Sequence, residues 1–358
     1  MNAATVEAVL AFLAQDGCSD AEFDAMALRL FAEQHAGNAA FRRFCQMRGV
    51  TPRTVRSWRD IPAVPISAFK EVTLGIARAD SAERVFMPSG TTRGDMRARH
   101  YHPTLAVYDA SMTRNFARRF MQGSDRLRMA ILFPDEAALP NSSLAHYLAL
   151  AHSHFGTADS FHALGPEGLR IAALRKMLRE AETTGTPCAI LGASYSFVHL
   201  LDELARDSET FRLPAGSRLL DTGGYKGQAR ELPLDAFYEA LSATFGVPRS
   251  HCINMYGMTE LSTQLYDDGN AVVPSVRSGP HWIRSRLVDP LTGQDVPHGE
   301  RGILVHCDLA NFNSATTLLT EDVGRAVEGG FLLLGRAEGA QAKGCSLAVE
   351  EFLQAARP

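Results

Sequence analysis

Arg218-Leu219-Leu220-Asp221-Thr222-Gly223-Gly224-Tyr225-Lys226-Gly227 runs from a short strand into a glycine pair, and a helical pattern follows over about 233–245. Positions 251–255 then read as another strand, ending in Tyr256-Gly257-Met258-Thr259-Glu260. The same order repeats upstream. The apolar run 127–133 stops at Pro134 like a buried parallel strand, and 188–191 reads the same way. Asn141-Ser142-Ser143 is an N-cap cluster for a helix over 144–151, and 169–183 and 197–205 are helical. This alternation predicts an α/β fold of largely parallel sheets flanked by helices, with ligands at the C-terminal ends of the strands.

Outside this core the texture changes. Residues 5–47 read as two helices, the first carrying Val6, Val9, Leu10 and Leu13 at helical spacing. Ser19 and Asp20 can cap the second, which Gly37-Asn38 interrupts before 41–47. Pro62 and Pro65 make 58–70 extended. From 274 onward, short β-rich segments at 282–288, 302–305 and 331–334 alternate with turns at Asp289-Pro290, Thr292-Gly293 and Gly299-Glu300. The expected division is therefore an N-terminal helical layer (1–55), an α/β core (56–273), and a small β-rich C-terminal subdomain ending in a short arm (274–358).

With 46% hydrophobic and 21% charged residues, the 358-residue chain has the composition of a folded globular protein. A net charge of −4 with interspersed signs excludes the basic stripe of a nucleic-acid binder. The sequence shows neither a membrane span nor a signal peptide, so the cytoplasm is the expected compartment. Six cysteines without CxxC spacing argue against a zinc site and a disulfide framework.

The loops carry the chemistry. Val85-Phe86-Met87-Pro88-Ser89-Gly90-Thr91-Thr92-Arg93-Gly94-Asp95 leads apolar residues into hydroxyls, glycines and an arginine, the composition of a phosphate-wrapping loop. It lacks the Gly-Lys-Ser/Thr of a Walker loop, and an ordinary polar turn has the same composition. Tyr225 can stack on a ring above Gly223-Gly224, Lys226 and Arg93 can neutralise phosphate, and Glu260 offers an oxygen ligand to Mg²⁺. A parallel sheet would bring all three loops to one rim. Cys345 lies beside Lys343 and ahead of a helix pattern at 347–353, where a thiol pKa falls, whereas Cys188 and Cys252 lie in apolar runs as core residues. His146 and His251 are given no catalytic role.

SGTTRGD followed by YGMTE resembles the adenylate-forming, acyl-CoA synthetase-like superfamily. WRDIPAVPISAFK, the Ser89 loop, PNSSL, TGGYKG, NMYGMTEL and GCSLAVEEF, in this order over roughly 55–353, resemble the LuxE-type acyl-protein synthetases. The resemblance implies the N-terminal-domain fold of adenylate-forming enzymes, with ATP and Mg²⁺ as cofactors. It implies activation of a fatty carboxylic acid to acyl-AMP, transfer to Cys345, and delivery to a partner reductase or other acceptor protein. Residues implied for the nucleotide are Ser89, Gly90, Thr91, Thr92, Gly94, Gly223, Gly224, Tyr225, Tyr256, Gly257 and Thr259. TEDVGR and LLGR add Asp322 for the ribose and Arg336 at a hinge, with Glu260 on the metal and Arg93 and Lys226 catalytic. The superfamily's full lid domain, with its catalytic lysine, has no counterpart after Arg336; Lys226 or Lys343 could supply a charge. Two other readings stay open: a ligase delivering acyl groups to CoA, an amine or a carrier-protein thiol, and a nucleotide-binding partner subunit without catalysis.

Overall fold

A computed structural model describes residues 3–88, 97–225 and 227–357. Its contacts divide the chain into two compact units. One comprises Met112–Gly257 and Gln264–Arg277; the other comprises Met1–Ser111, Met258–Thr263 and Ser278–Pro358.

The Met112–Gly257 unit contains the parallel sheet. Phe161–His162, Arg128–Leu132, Cys188–Ala193, Arg218–Thr222 and Cys252–Tyr256 lie side by side in that order, all parallel. Leu265–Asp267 pairs antiparallel with Cys252–Tyr256, and Val276–Ser278 follows it in the strand order. Every residue of Cys188–Ala193, Arg218–Thr222 and Cys252–Tyr256 is buried, which explains why these strands read as runs without alternation. The helices Ile171–Thr184, Ser194–Arg206 and Leu234–Phe245 contribute Leu174, Leu178, Phe197, Leu201 and Phe237 to a core shared with Leu132, Ile190 and Leu219. Each such side chain contributes about 1.5–3 kcal/mol on burial. Ser142 caps Ser143–Phe155 by accepting from the Ala145 amide, as the N-cap cluster predicts.

The second unit is built on an antiparallel meander of Ile283–Val288, Arg301–Asp308, Thr317–Val327 and Gly330–Arg336. Val64–Pro65 pairs in parallel with Leu318 and Leu319, and Arg84–Phe86 pairs antiparallel with His100–His102. Three N-terminal helices, Ala3–Leu13, Asp20–Gly37 and Ala39–Met47, stand where two were expected. Asn38 separates the last two, its side chain accepting from the Phe41 amide to start the new helix. Ser19 and Glu22 form a capping box at the second.

Several expectations change. The segment 58–70 is not wholly extended: Trp58–Asp60 is a 3₁₀ turn and Ala68–Glu71 a short helix. Both prolines lie between these turns and inside neither, which removes the steric objection. Thr317–Val327, which carries the TEDVGR motif, is a strand of 11 residues, and Asp322 and Arg336 face each other across a strand pair. The unit also gathers both ends of the chain, unlike the sequential division at 55 and 273. Gln34 on the second helix donates to the carbonyls of Asn311 (2.8 Å) and Phe312 (3.2 Å), and Arg43 donates to the carbonyls of Ala355 and Ala356.

Candidate active site

In the parallel-sheet unit, two of the sequence-predicted loops leave neighbouring strands at the same end. Thr222 stands opposite Met255, and its hydroxyl donates to the Met255 carbonyl at 2.8 Å. Gly223-Gly224-Tyr225 and Tyr256-Gly257 therefore start side by side, as the parallel topology requires. Ser194 steadies the first loop: its hydroxyl lies 2.7 Å from Asp221 Oδ2 and 3.1 Å from the carbonyls of Thr222 and Gly223. Gly223 adopts φ +75°, a conformation that a side chain resists. The Tyr225 hydroxyl donates to the Leu232 carbonyl (3.1 Å), and its ring meets Phe237 edge-on. At Gly257 an added Cβ would come within 3.3 Å of Met255 Sδ, so a side chain there crowds the strand end.

Asp221 itself is fully buried. It accepts from Tyr238 (2.9 Å), Ser194 and Asn254 Nδ2 (2.9 Å), yet burial raises its carboxyl pKa to about 6.

The second unit holds Glu260, Asp322 and Arg336. Thr259 and Glu260 form a turn, and each is 8% exposed. Burial lifts the Glu260 carboxyl to about 7; its own amide and the positive charges of Lys70 and Arg336 act against the rise, while Glu321 adds to it. A carboxylate in this condition favours a cation. Among the described residues no three His, Cys, Asp or Glu side chains converge to cage a metal. One carboxylate beside phosphate oxygens and water is the usual environment of Mg²⁺, so the donor set fits that ion.

Asp322 lies opposite Arg336, whose Nε stands 3.7 Å from Asp322 Oδ1 and whose guanidinium also pairs with Glu321. Ser67, from the 58–70 motif, donates to Glu321. His100 donates from Nδ1 to the Thr259 carbonyl (3.0 Å), since a carbonyl can only accept, and its Nε2 then accepts from Ser314 (3.0 Å). Burial holds this imidazole neutral, with a pKa near 4.

A family model described as acyl-protein synthetase, LuxE, matches residues 13–354. The chain belongs to the LuxE family of acyl-protein synthetases. It is thus a ligase. Over 330 residues it is 26% identical to a long-chain-fatty-acid–luciferin-component ligase of Vibrio harveyi, covering 89% of this chain and 84% of that protein. A protein of the same name from Aliivibrio fischeri is 22% identical over 307 residues, 84% of this chain and 78% of that one. Among solved structures, an open form of 2-hydroxyisobutyryl-CoA ligase with 2-HIB-AMP and CoA superimposes with TM-score 0.65 at 14% identity. That match covers 88% of this chain and 69% of the ligase. ATP-bound MatB from Rhodopseudomonas palustris matches with TM-score 0.50 at 18% identity, over 73% of this chain and 49% of MatB. The fold is that of the adenylate-forming ligases.

The structure corrects the expected setting of Cys345. Cys345 is not ahead of a helix but inside one. It lies within Gly339–Ala356, is 6% exposed, and its Sγ is 3.9 Å from the Thr320 carbonyl. Burial raises the thiol to about 11 instead of lowering it, and Glu321 reinforces the rise. The helix starts at Gly339 because the sequence has no breaker before 345 except glycine, which a docked helix tolerates. Cys188, Cys252 and Cys307 are buried free thiols with pKa values raised by burial, consistent with core roles.

His146 pairs with Glu136 at 2.8 Å. Ser89, Gly90, Thr91, Thr92, Arg93, Gly94 and Lys226 lie outside the described residues. The strand ahead of the Ser89 segment, Arg84–Phe86, pairs antiparallel with His100–His102 and is not one of the parallel strands. Sequence reasoning missed His100, Asp308 and Asn311; a polar run such as Asn311-Phe312-Asn313-Ser314 reads as a surface turn, and only its burial marks it.

Proposed function

We propose that this LuxE-family ligase activates a long-chain fatty carboxylic acid with ATP and passes the acyl group through Cys345 to an acceptor protein. The carboxylate attacks the α-phosphorus and pyrophosphate leaves; the Cys345 thiol, after losing its proton, attacks the acyl carbon and AMP leaves. Mg²⁺ held at Glu260 would neutralise phosphate charge. Arg93, Lys226 and the Ser89–Thr92 hydroxyls are assigned to phosphate contact, and Asp322 to the ribose. Gly223, Gly224, Tyr225, Tyr256 and Gly257 are assigned to the base. The fatty acid is supported by the names of the Vibrio harveyi and Aliivibrio fischeri relatives, and ATP by the nucleotide-bound fold neighbours.

One observation carries the cysteine step. Cys345 Sγ lies 3.9 Å from the Thr320 carbonyl, and Thr320 is on the same strand as Asp322, two residues ahead of it. The thiol therefore lies against the strand that carries a residue assigned to the nucleotide. Incubation with ATP and labelled fatty acid should label the parent through a hydroxylamine-sensitive thioester and leave Cys345→Ser unlabelled, while acid-dependent ATP–pyrophosphate exchange persists in both. Release of ADP and phosphate would defeat adenylation; equal labelling of both proteins would defeat the cysteine step. The burial and raised pKa of Cys345 favour a second reading, in which an external thiol or amine accepts the acyl group directly.

A further inference from the structure

Glu260 stands in a turn, and residues 261–263 have no helix or strand to hold them. Side chains hold this backbone instead. The Asp308 carboxylate accepts from the amides of Ser262 (3.0 Å), Thr263 (2.9 Å) and Ala310 (3.0 Å), and from the Thr263 hydroxyl (2.7 Å). Asn311 Oδ1 accepts from the Ser262 amide at 2.9 Å, while its Nδ2 donates to the Glu260 carbonyl at 2.8 Å. Asn311 is fixed in turn. Its amide donates to the Asp308 carbonyl (3.1 Å), and its own carbonyl accepts from Gln34.

The loop providing these contacts is polar yet deeply buried: residues 308–317 are at most 3% exposed. Burying amides and a carboxylate costs free energy unless each is satisfied, so an apolar turn would close the same strands at lower cost. Here the polar groups converge on the short stretch 260–263, with Asn311 Nδ2 reaching the carbonyl of Glu260 itself. Ser262 Oγ is also buried and has no hydrogen-bond partner among the described residues.

We infer that Asp308 and Asn311 are positioning residues that set the direction of the Glu260 carboxylate, so that it meets a divalent cation bound with the nucleotide. The inference rests on the magnesium role proposed above for Glu260. Asn311 has the more specific part, because it holds both the carbonyl of Glu260 and the amide two residues later. Asp308 fixes the segment that follows.

The test compares parent, Glu260→Gln, Asn311→Ala, the milder Asn311→Ser, Asp308→Asn and Asp308→Ala, each as the 358-residue chain. Mn²⁺ binding is read by EPR in the presence of a non-hydrolysable ATP analogue, beside the Mg²⁺ dependence of pyrophosphate exchange and the melting temperature. Asn311→Ala should raise the half-saturating cation concentration about tenfold, the lower end of what residues orienting a metal ligand contribute. Asn311→Ser, which keeps one hydroxyl donor or acceptor, should fall between it and the parent. Asp308→Asn, which retains an acceptor oxygen, should weaken cation binding less than Asp308→Ala. If Glu260→Gln weakens cation binding but Asn311→Ala and Asn311→Ser leave it at the parental value, the positioning role is overturned and the magnesium role stands. A lower melting temperature with unchanged cation affinity likewise overturns the positioning role. If Glu260→Gln itself leaves Mn²⁺ binding unchanged, both the magnesium role and the inference fall.

Discussion

Gly344→Ala should loosen the C-terminal helix and make Cys345 more reactive. Two effects oppose each other at this position. Alanine favours a helix interior over glycine by about 1 kcal/mol. The new Cβ, however, would lie 2.9 Å and 3.0 Å from the Pro290 ring and 3.3 Å from Leu291. Overpacking of this kind costs about 1–3 kcal/mol, and a proline ring cannot rotate away. The steric term therefore wins, by about 1 kcal/mol.

In the parent, a thiol at about 11 instead of the usual 9 has about a hundredth of the ordinary thiolate fraction at neutral pH. The greater nucleophilicity of a more basic thiolate returns nearly tenfold of this, so the chemical handicap is about tenfold before access is considered. Releasing the helix by about 1 kcal/mol should raise the open population, and with it the alkylation rate of Cys345, about fivefold. The assay is timed iodoacetamide labelling at fixed pH with peptide mapping, run alongside a thermal melt. Cys18, the one partly exposed cysteine, serves as the internal control. A higher melting temperature together with unchanged Cys345 labelling would refute the reasoning, because propensity would then have outweighed the contact with Pro290.

Asp322→Ala should mainly raise the KM for ATP in pyrophosphate exchange, because a ribose contact exists in ground and transition states alike. A fall in kcat at constant KM would contradict that assignment. For His100, the folded pKa of about 4 lies below the ordinary 6.5, so the unfolded chain takes up the proton first as pH falls. Its contribution to stability is intact above pH 6.5 and declines towards pH 4, by roughly 3 kcal/mol in all. Denaturation midpoints of His100→Asn should accordingly fall less steeply than the parent's between pH 7 and 4.5; parallel slopes would show that His100 is not held neutral.

The strands of the parallel sheet were legible because their burial on both faces leaves an unbroken apolar run, as in Cys188–Ala193. The loops after Thr222 and Tyr256 followed from that topology. Ser19 and Ser142 announced helix starts through local cap chemistry, which depends only on residues three positions apart. Glu260 stood out as an acid in a glycine-containing turn after a strand.

What the sequence by itself determined is therefore local: periodicity, caps, turns and the residue types in the loops. Only the tertiary structure decided which distant polar groups meet. Gln34 donates to Asn311 across 277 positions of sequence, and neither residue has a local feature that names its partner. The thiol of Cys345 looked reactive beside Lys343, but its pKa is governed by desolvation against the strand carrying Thr320, 25 positions away. Burial depends on what packs over a residue, and a one-dimensional pattern shows which face is apolar but not what covers it.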